Sequence, residues 1–95
     1  MAIGSSVITH SSVANSAVLT IQPTAGAVWV IQNLYMGGAW EIHRTDGTND
    51  ITIMAGVTAD SIQNRDMLVS NTIYLTLKNV SGGAIYMGYD GYVIA

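Results

Sequence analysis

From Ser16 onward, apolar and polar residues alternate with a period of two, the spacing of β-strands rather than helices. Val18, Thr20 and Gln22 alternate with Ala17, Leu19 and Ile21 until Pro23, which has no N–H to give a central ladder. Thr24-Ala25-Gly26 supplies a turn. The run from Ala27 to Met36 has large apolar residues in both alternate sets, which predicts a strand buried on both faces near its start. Gly37-Gly38 ends it.

Trp40 and Ile42 then share one face, with Glu41 and His43 on the other, as in a half-buried strand. Asp46-Gly47 follows, a hairpin signal because glycine accepts the positive φ that tight turns need. With Asp50-Ile51-Thr52-Ile53-Met54 as the return strand, residues 39–54 are predicted to be a β-hairpin. Residues 57–64 are compatible with a short strand, an irregular loop or one helical turn capped at Asp60, and a loop is the favoured reading. Beyond Met67-Leu68-Val69, residues 72–79 alternate cleanly: Ile73, Leu75 and Leu77 face one way, and Thr72, Tyr74, Thr76 and Lys78 the other. After the turn at Val80-Ser81-Gly82-Gly83 comes a last strand, in which Gly88 and Gly91 predict a bulge or a close backbone approach.

The first fifteen residues read differently. After Met1, five serines or threonines, Gly4, His10 and Asn15 surround only four large apolar residues, Ile3, Val7, Ile8 and Val13. The segment is expected to be a flexible N-terminal arm (1–15) that orders on a partner through those four residues, ahead of a single domain (16–95). Seven to eight short strands with turns every eight to twelve residues predict an all-β fold, a compact antiparallel β-sandwich or small jelly-roll-like barrel. No repeat of 20 to 50 residues is visible, which disfavours a solenoid.

Charge changes the picture. Only three Lys/Arg and six Asp/Glu occur in 95 residues, where an ordinary domain would carry roughly a quarter charged residues. Arg44, Arg65 and Lys78 lie too far apart to form the basic stripe of a nucleic-acid binder. No apolar run approaches the ~20 residues of a membrane-spanning helix, and no secretory signal is visible at the N-terminus. Without cysteine there is no disulfide framework, thiolate nucleophile or Cys-based zinc site. A domain this small and this poor in charge is expected to bury solvent-facing surface against copies of itself or a larger partner. The stretches carrying almost no charge, namely the arm, residues 17–36 and the tyrosine-rich end, are the expected interface.

Candidate chemistry is sparse. Glu41 and His43 on one strand face could bind a metal or move a proton, but no third ligand is spaced to join them, and His10 lies in the arm. The oxygen-rich run Asp46-Gly47-Thr48-Asn49-Asp50 could hold calcium, yet it lacks the order of an EF-hand loop, and a plain turn explains it. Neither a nucleophile elbow nor a phosphate-binding loop is present, so neither catalysis nor a cofactor is expected. Trp29 and Trp40 sit among aliphatic residues and read as core. Tyr74, Tyr86, Tyr89 and Tyr92 cluster in the last two strands, where they read first as subunit contacts and second as ligand platforms.

The Pro23-Thr24-Ala25-Gly26-Ala27-Val28-Trp29 segment, and the tail from Tyr74-Leu75-Thr76-Leu77-Lys78-Asn79 through Ser81-Gly82 to Tyr89-Asp90-Gly91-Tyr92, resemble small β-sandwich virion proteins of tailed bacteriophages, most closely capsid decoration (cement) proteins. The resemblance covers most of residues 17–94 and rests on turn chemistry. It implies a non-enzymatic protein made in the host cytoplasm and sited on the outer capsid surface. There it would bind the major capsid protein, commonly as a homotrimer, and staple neighbouring subunits. Phage tail and fibre modules use similar pieces, so the alternative is a module that binds host carbohydrate by stacking sugars on Trp40, Tyr74 or Tyr89.

Overall fold

A computed structural model describes residues 3–95 as nine strands: β1 (Ser6–Val13), β2 (Val18–Ile21), β3 (Val28–Met36), β4 (Trp40–Thr45), β5 (Asp50–Gly56), β6 (Asp60–Ile62), β7 (Met67–Ser70), β8 (Tyr74–Asn79) and β9 (Ile85–Val93). They form two antiparallel sheets packed as a β-sandwich, with no helix among the described residues. The first sheet runs β1-β9-β3, and β3 then pairs β7 along its first half and β6 along its second. The second runs β2-β8-β4-β5.

The core follows from the period of two. Leu75 and Leu77 on β8 lie opposite Ile21 and Leu19 on β2, and opposite Arg44 and Ile42 on β4, so one face of the second sheet delivers Ile21, Ile42, Leu75 and Leu77 to the interior. The first sheet answers with Ile31, Leu34, Met87 and Val93. Trp29, Val30 and Ile31 are all buried, so the start of β3 is indeed covered on both faces. Its second face is covered because Val30 lies between Tyr92 on β9 and Leu68 on β7.

The expected arm is a strand. Residues 6–13 pair with β9 over eight positions, from Ser6 opposite Tyr92 to Val13 opposite Ile85, and Val7 and Val13 are buried in this chain's own core. The inward face of β1 reads Val7, Thr9, Ser11, Val13. Two small polar residues between the valines hide its amphipathic pattern, while the backbone ladder with β9 holds the strand. Gly88 makes that ladder close, because a Cβ there would lie 2.6 Å from the Thr9 carbonyl oxygen. At Gly91 a Cβ would collide with the Val30 carbonyl, and the β3–β9 register shifts between Ile31 and Asn33. The glycines therefore mark both the close approach and the bulge that the sequence predicts.

The hairpin over 39–54 forms, as β4 and β5 joined by residues 46–49. The Asp46 carboxylate accepts the Thr48 and Asn49 N–H groups at 2.9 and 2.6 Å, and Gly47 takes φ 94°. In place of the favoured loop over 57–64, Asp60–Ile62 adds to β3 as β6. Its one apolar anchor, Ile62, opposite Leu34, is too little periodicity to mark a strand in sequence. Asn33 Oδ1 then accepts the Asn64 N–H at 3.1 Å and carries the chain along β3 toward β7.

Candidate functional site

β5 departs from every other strand. Six of its seven residues are exposed and Gly56 is half-buried, so neither face is covered. Ile51, Ile53 and Met54 are 63%, 44% and 38% exposed, and Val57 just beyond is 89% exposed. Among the described residues its only partner is β4, and none pairs with its outer backbone edge. Opposite residues in an antiparallel pair share a face. Since Ile42 points into the core, Met54 opposite it lies on that face too, as does Ile51 opposite Arg44. The register shifts between Ile42 and His43 because Ile53 is an extra residue on β5.

The inward side of this strand finds no sheet above it. A cleft of about 360 Å³ opens there between β5, β7 and the start of β8, lined by Arg44, Ile53, Leu68, Ile73 and Tyr74 among others. Two smaller hollows continue it, and all three share Arg44 and Ile73. Leu68 and Ile73 are 65% and 42% exposed, so the open end of the sandwich is an apolar concavity with a guanidinium at its centre. Arg44 makes no ion pair among the described residues; Asp46 and Asp66 lie at the rim.

A second surface lies on the outer face of the first sheet. The Asn33 amide donates to Asp90 Oδ1 at 2.6 Å and the Tyr35 phenol to Oδ2 at 3.0 Å. Tyr35 is accordingly held above the usual tyrosine range, first by its bond to Asp90, then by burial and by the adjacent negative charge. Beside them His10 and Tyr86 stack with ring centroids 5.1 Å apart.

The residues singled out in sequence scatter. Of the four expected to bind a partner through an arm, Val7 and Val13 are core, while Ile3 and Ile8 are exposed at 76% and 73%. Of the four tyrosines expected at an interface, Tyr89 is buried, Tyr74 and Tyr92 are half-buried, and Tyr86 is exposed. The carbohydrate platform is corrected in two of its three residues: Trp40 and Tyr89 are buried in the core at 2% and 6% exposure, while Tyr74 is half-buried, packs against the core and lines the cleft. Trp29 and Trp40 are both buried with their Nε1 atoms unpartnered.

His43 sits between two carboxylates, Nε2 against Glu41 at 2.8 Å and Nδ1 against Asp50 at 2.8 Å. They occupy opposite edges of the ring and do not converge on a point. Among the described residues no group of three or more His, Asp or Glu is arranged to hold a metal ion. The Asp46 carboxylate is engaged by its own turn. Its pKa falls below the usual aspartate value, chiefly through the Asn49 and then the Thr48 backbone N–H, with the Asn49 side chain adding to both.

Sequence reasoning missed the β5 edge and the cleft. The uncharged stretch 17–36 lacks charge largely because β3 is core, whereas the exposed apolar end lies within the charge-bearing hairpin. One signal was present: Ile51, Ile53 and Met54 occupy both parities of one short run, which a regular half-buried strand does not do. No protein-family model matches the chain, and no curated protein matches it by sequence.

Proposed function

We propose that this is a non-enzymatic structural protein of a tailed-phage virion, a decoration protein that binds the major capsid protein on the outer surface of the assembled head. The observation carrying this reading is the apolar open end of the sandwich, where an edge strand with six of seven residues exposed and an apolar cleft sit together. Soluble monomers rarely leave such an area uncovered, and edge strands are normally blunted by charge, proline or brevity. β5 contains neither lysine nor proline, and its one charge is Asp50 at its start. A surface of this kind supports assembly, and the turn-chemistry resemblance supports the virion as the place.

The physical action is mass action. A protein that binds the assembled lattice but not dissociated subunits stabilises that lattice by RT ln(1 + [L]/Kd) per site, about 2.7 kcal/mol at a hundredfold excess over Kd. When one copy touches two capsid subunits, each site resists their separation. Co-sedimentation with expanded heads tests the reading: the protein pellets with heads and raises their melting temperature, and failure to do either refutes it.

One observation favours the second reading, a tail or fibre module for host carbohydrate. Tyr35 and Tyr86 are 39% and 61% exposed on one sheet face beside the Asp90 carboxylate, a combination of ring and acceptor that suits a sugar. Thermal shift on a glycan panel, with no binding to heads, would put this reading first.

A further inference from the structure

We infer that the outer edge of β5 pairs with β5 of a second copy of this chain across a two-fold axis, joining two four-stranded sheets into one of eight. The inference shares with the reading above only the view that this edge is an interface, and it names the occupant.

Because Ile53 is an extra residue, the two halves of β5 present opposite parities to the same face: Ile51, Ile53, Met54 and Gly56 lie on the cleft side, Asp50, Thr52 and Ala55 on the other. A strand pairing antiparallel with itself must set like faces opposite one another. A register centred on Ile53 fails, since it sets Ile51 against Ala55. A register centred between Ile53 and Met54 succeeds: Ile53 meets Met54 of the second copy, Thr52 meets Ala55, and Ile51 meets Gly56. The two-fold repeats each pair, so six large apolar side chains, Ile51, Ile53 and Met54 of each copy, gather on the cleft side.

Charge permits the same register. Asp50 is the only charged residue of β5 and sits at one end, so the two copies of Asp50 are about seven residues apart along the ribbon, about 24 Å at the rise of an antiparallel strand. That is about three times the screening length at physiological salt. Each Asp50 also has His43 Nδ1 of its own chain at 2.8 Å. The other sheet edges are poorer candidates. β2, β6 and β7 have four, three and four residues, and β1, though eight long, exposes one large apolar side chain, Ile8. The contact is isologous and closes at two copies, unlike the three-fold arrangement that the phage resemblance implies.

The test is size-exclusion chromatography with light scattering on the free protein, paired with disulfide trapping. The expected mass is twice the 10.0 kDa of the chain, reached reversibly as concentration rises. Ile51→Lys and Met54→Lys together should return it to one chain mass with circular dichroism unchanged, whereas Ile8→Lys should leave it a dimer. The chain has no cysteine, so Thr52→Cys with Ala55→Cys introduces the only thiols. On one strand these two are too far apart to bridge, while across the two-fold they face each other. Oxidation should give a covalent dimer, and Thr52→Cys alone should not. One or three chain masses at every concentration, a folded lysine variant that remains dimeric, or no crosslink from the double cysteine variant would overturn the inference. Head binding is scored separately: a dimer that ignores heads overturns the capsid reading alone, and a monomer that binds them overturns only the pairing.

Discussion

Asn79 is the one fully buried polar side chain among the described residues, and replacing it with alanine should unfasten three segments at once. Its amide donates to the Val13 carbonyl at 2.8 Å and the Gly83 carbonyl at 2.7 Å, and its oxygen accepts the Ser81 N–H at 2.9 Å and the Ser81 hydroxyl at 2.7 Å. The Ser81 hydroxyl has one proton for two acceptors, Asn79 Oδ1 and the Gly83 carbonyl; in Asn79→Ala it is left to Gly83, but the buried Val13 carbonyl and the Ser81 amide lose their side-chain partner. An orphaned buried group costs about 1–3 kcal/mol, and the Ser81 amide, which water can reach, costs less. With the small void added, the loss is about 3 kcal/mol, a large share of the roughly 5–15 kcal/mol that holds a domain folded. At about 4–8 °C per kcal/mol for a chain of this size, Tm should fall by roughly 12–24 °C. Ser81→Ala keeps both donations from Asn79 and should cost about 1 kcal/mol, or ~4–8 °C. Thermal unfolding followed by circular dichroism decides the matter. An Asn79→Ala protein melting within about 4 °C of the parent would show that the network is not a structural anchor.

Gly56→Ala would place a Cβ 2.6 Å from Trp40 Nε1, so it should displace the indole, cost about 1–3 kcal/mol and change tryptophan fluorescence; an unaltered spectrum would contradict this. The Tyr35 phenol has a folded pKa above its unfolded value, so its bond to Asp90 contributes fully below about pH 10 and is lost as pH rises through the folded value. Tyr35→Phe should therefore flatten that alkaline step, and a phenol titrating at or below the usual tyrosine value would refute the geometry. Asp46 has the opposite sign. Its depressed pKa gives stability that is present above about pH 4 and lost as pH falls through the folded value, so Asp46→Ala should weaken the acid dependence of Tm; an unchanged acid limb would count against the turn.

How much of this was legible in sequence depended on whether one element sufficed to create the signal. The hairpin at Asp46-Gly47 and the inward row Leu75 and Leu77 were readable because turn chemistry and alternation are local. β1 was not, since Thr9 and Ser11 dilute its inward face and only the register with β9 makes it a strand. β6 rests on Ile62 alone. Asn79 was visible as the end of a strand before a Ser-Gly turn, but its burial depends on Val13, sixty-six residues away. The candidate site was least legible of all. Exposure of Ile51, Ile53 and Met54 follows from the first sheet ending at β7 and leaving β5 uncovered, which is a property of topology and not of any window of sequence.

The most direct test of the proposed assembly on a capsid is sedimentation of the protein with purified expanded heads of a tailed phage, with and without the Ile51→Lys, Met54→Lys pair. The account predicts saturable pelleting and a higher melting temperature of the heads, both diminished when lysines occupy β5. Protein that remains in the supernatant at every ratio, with heads melting unchanged, would contradict it.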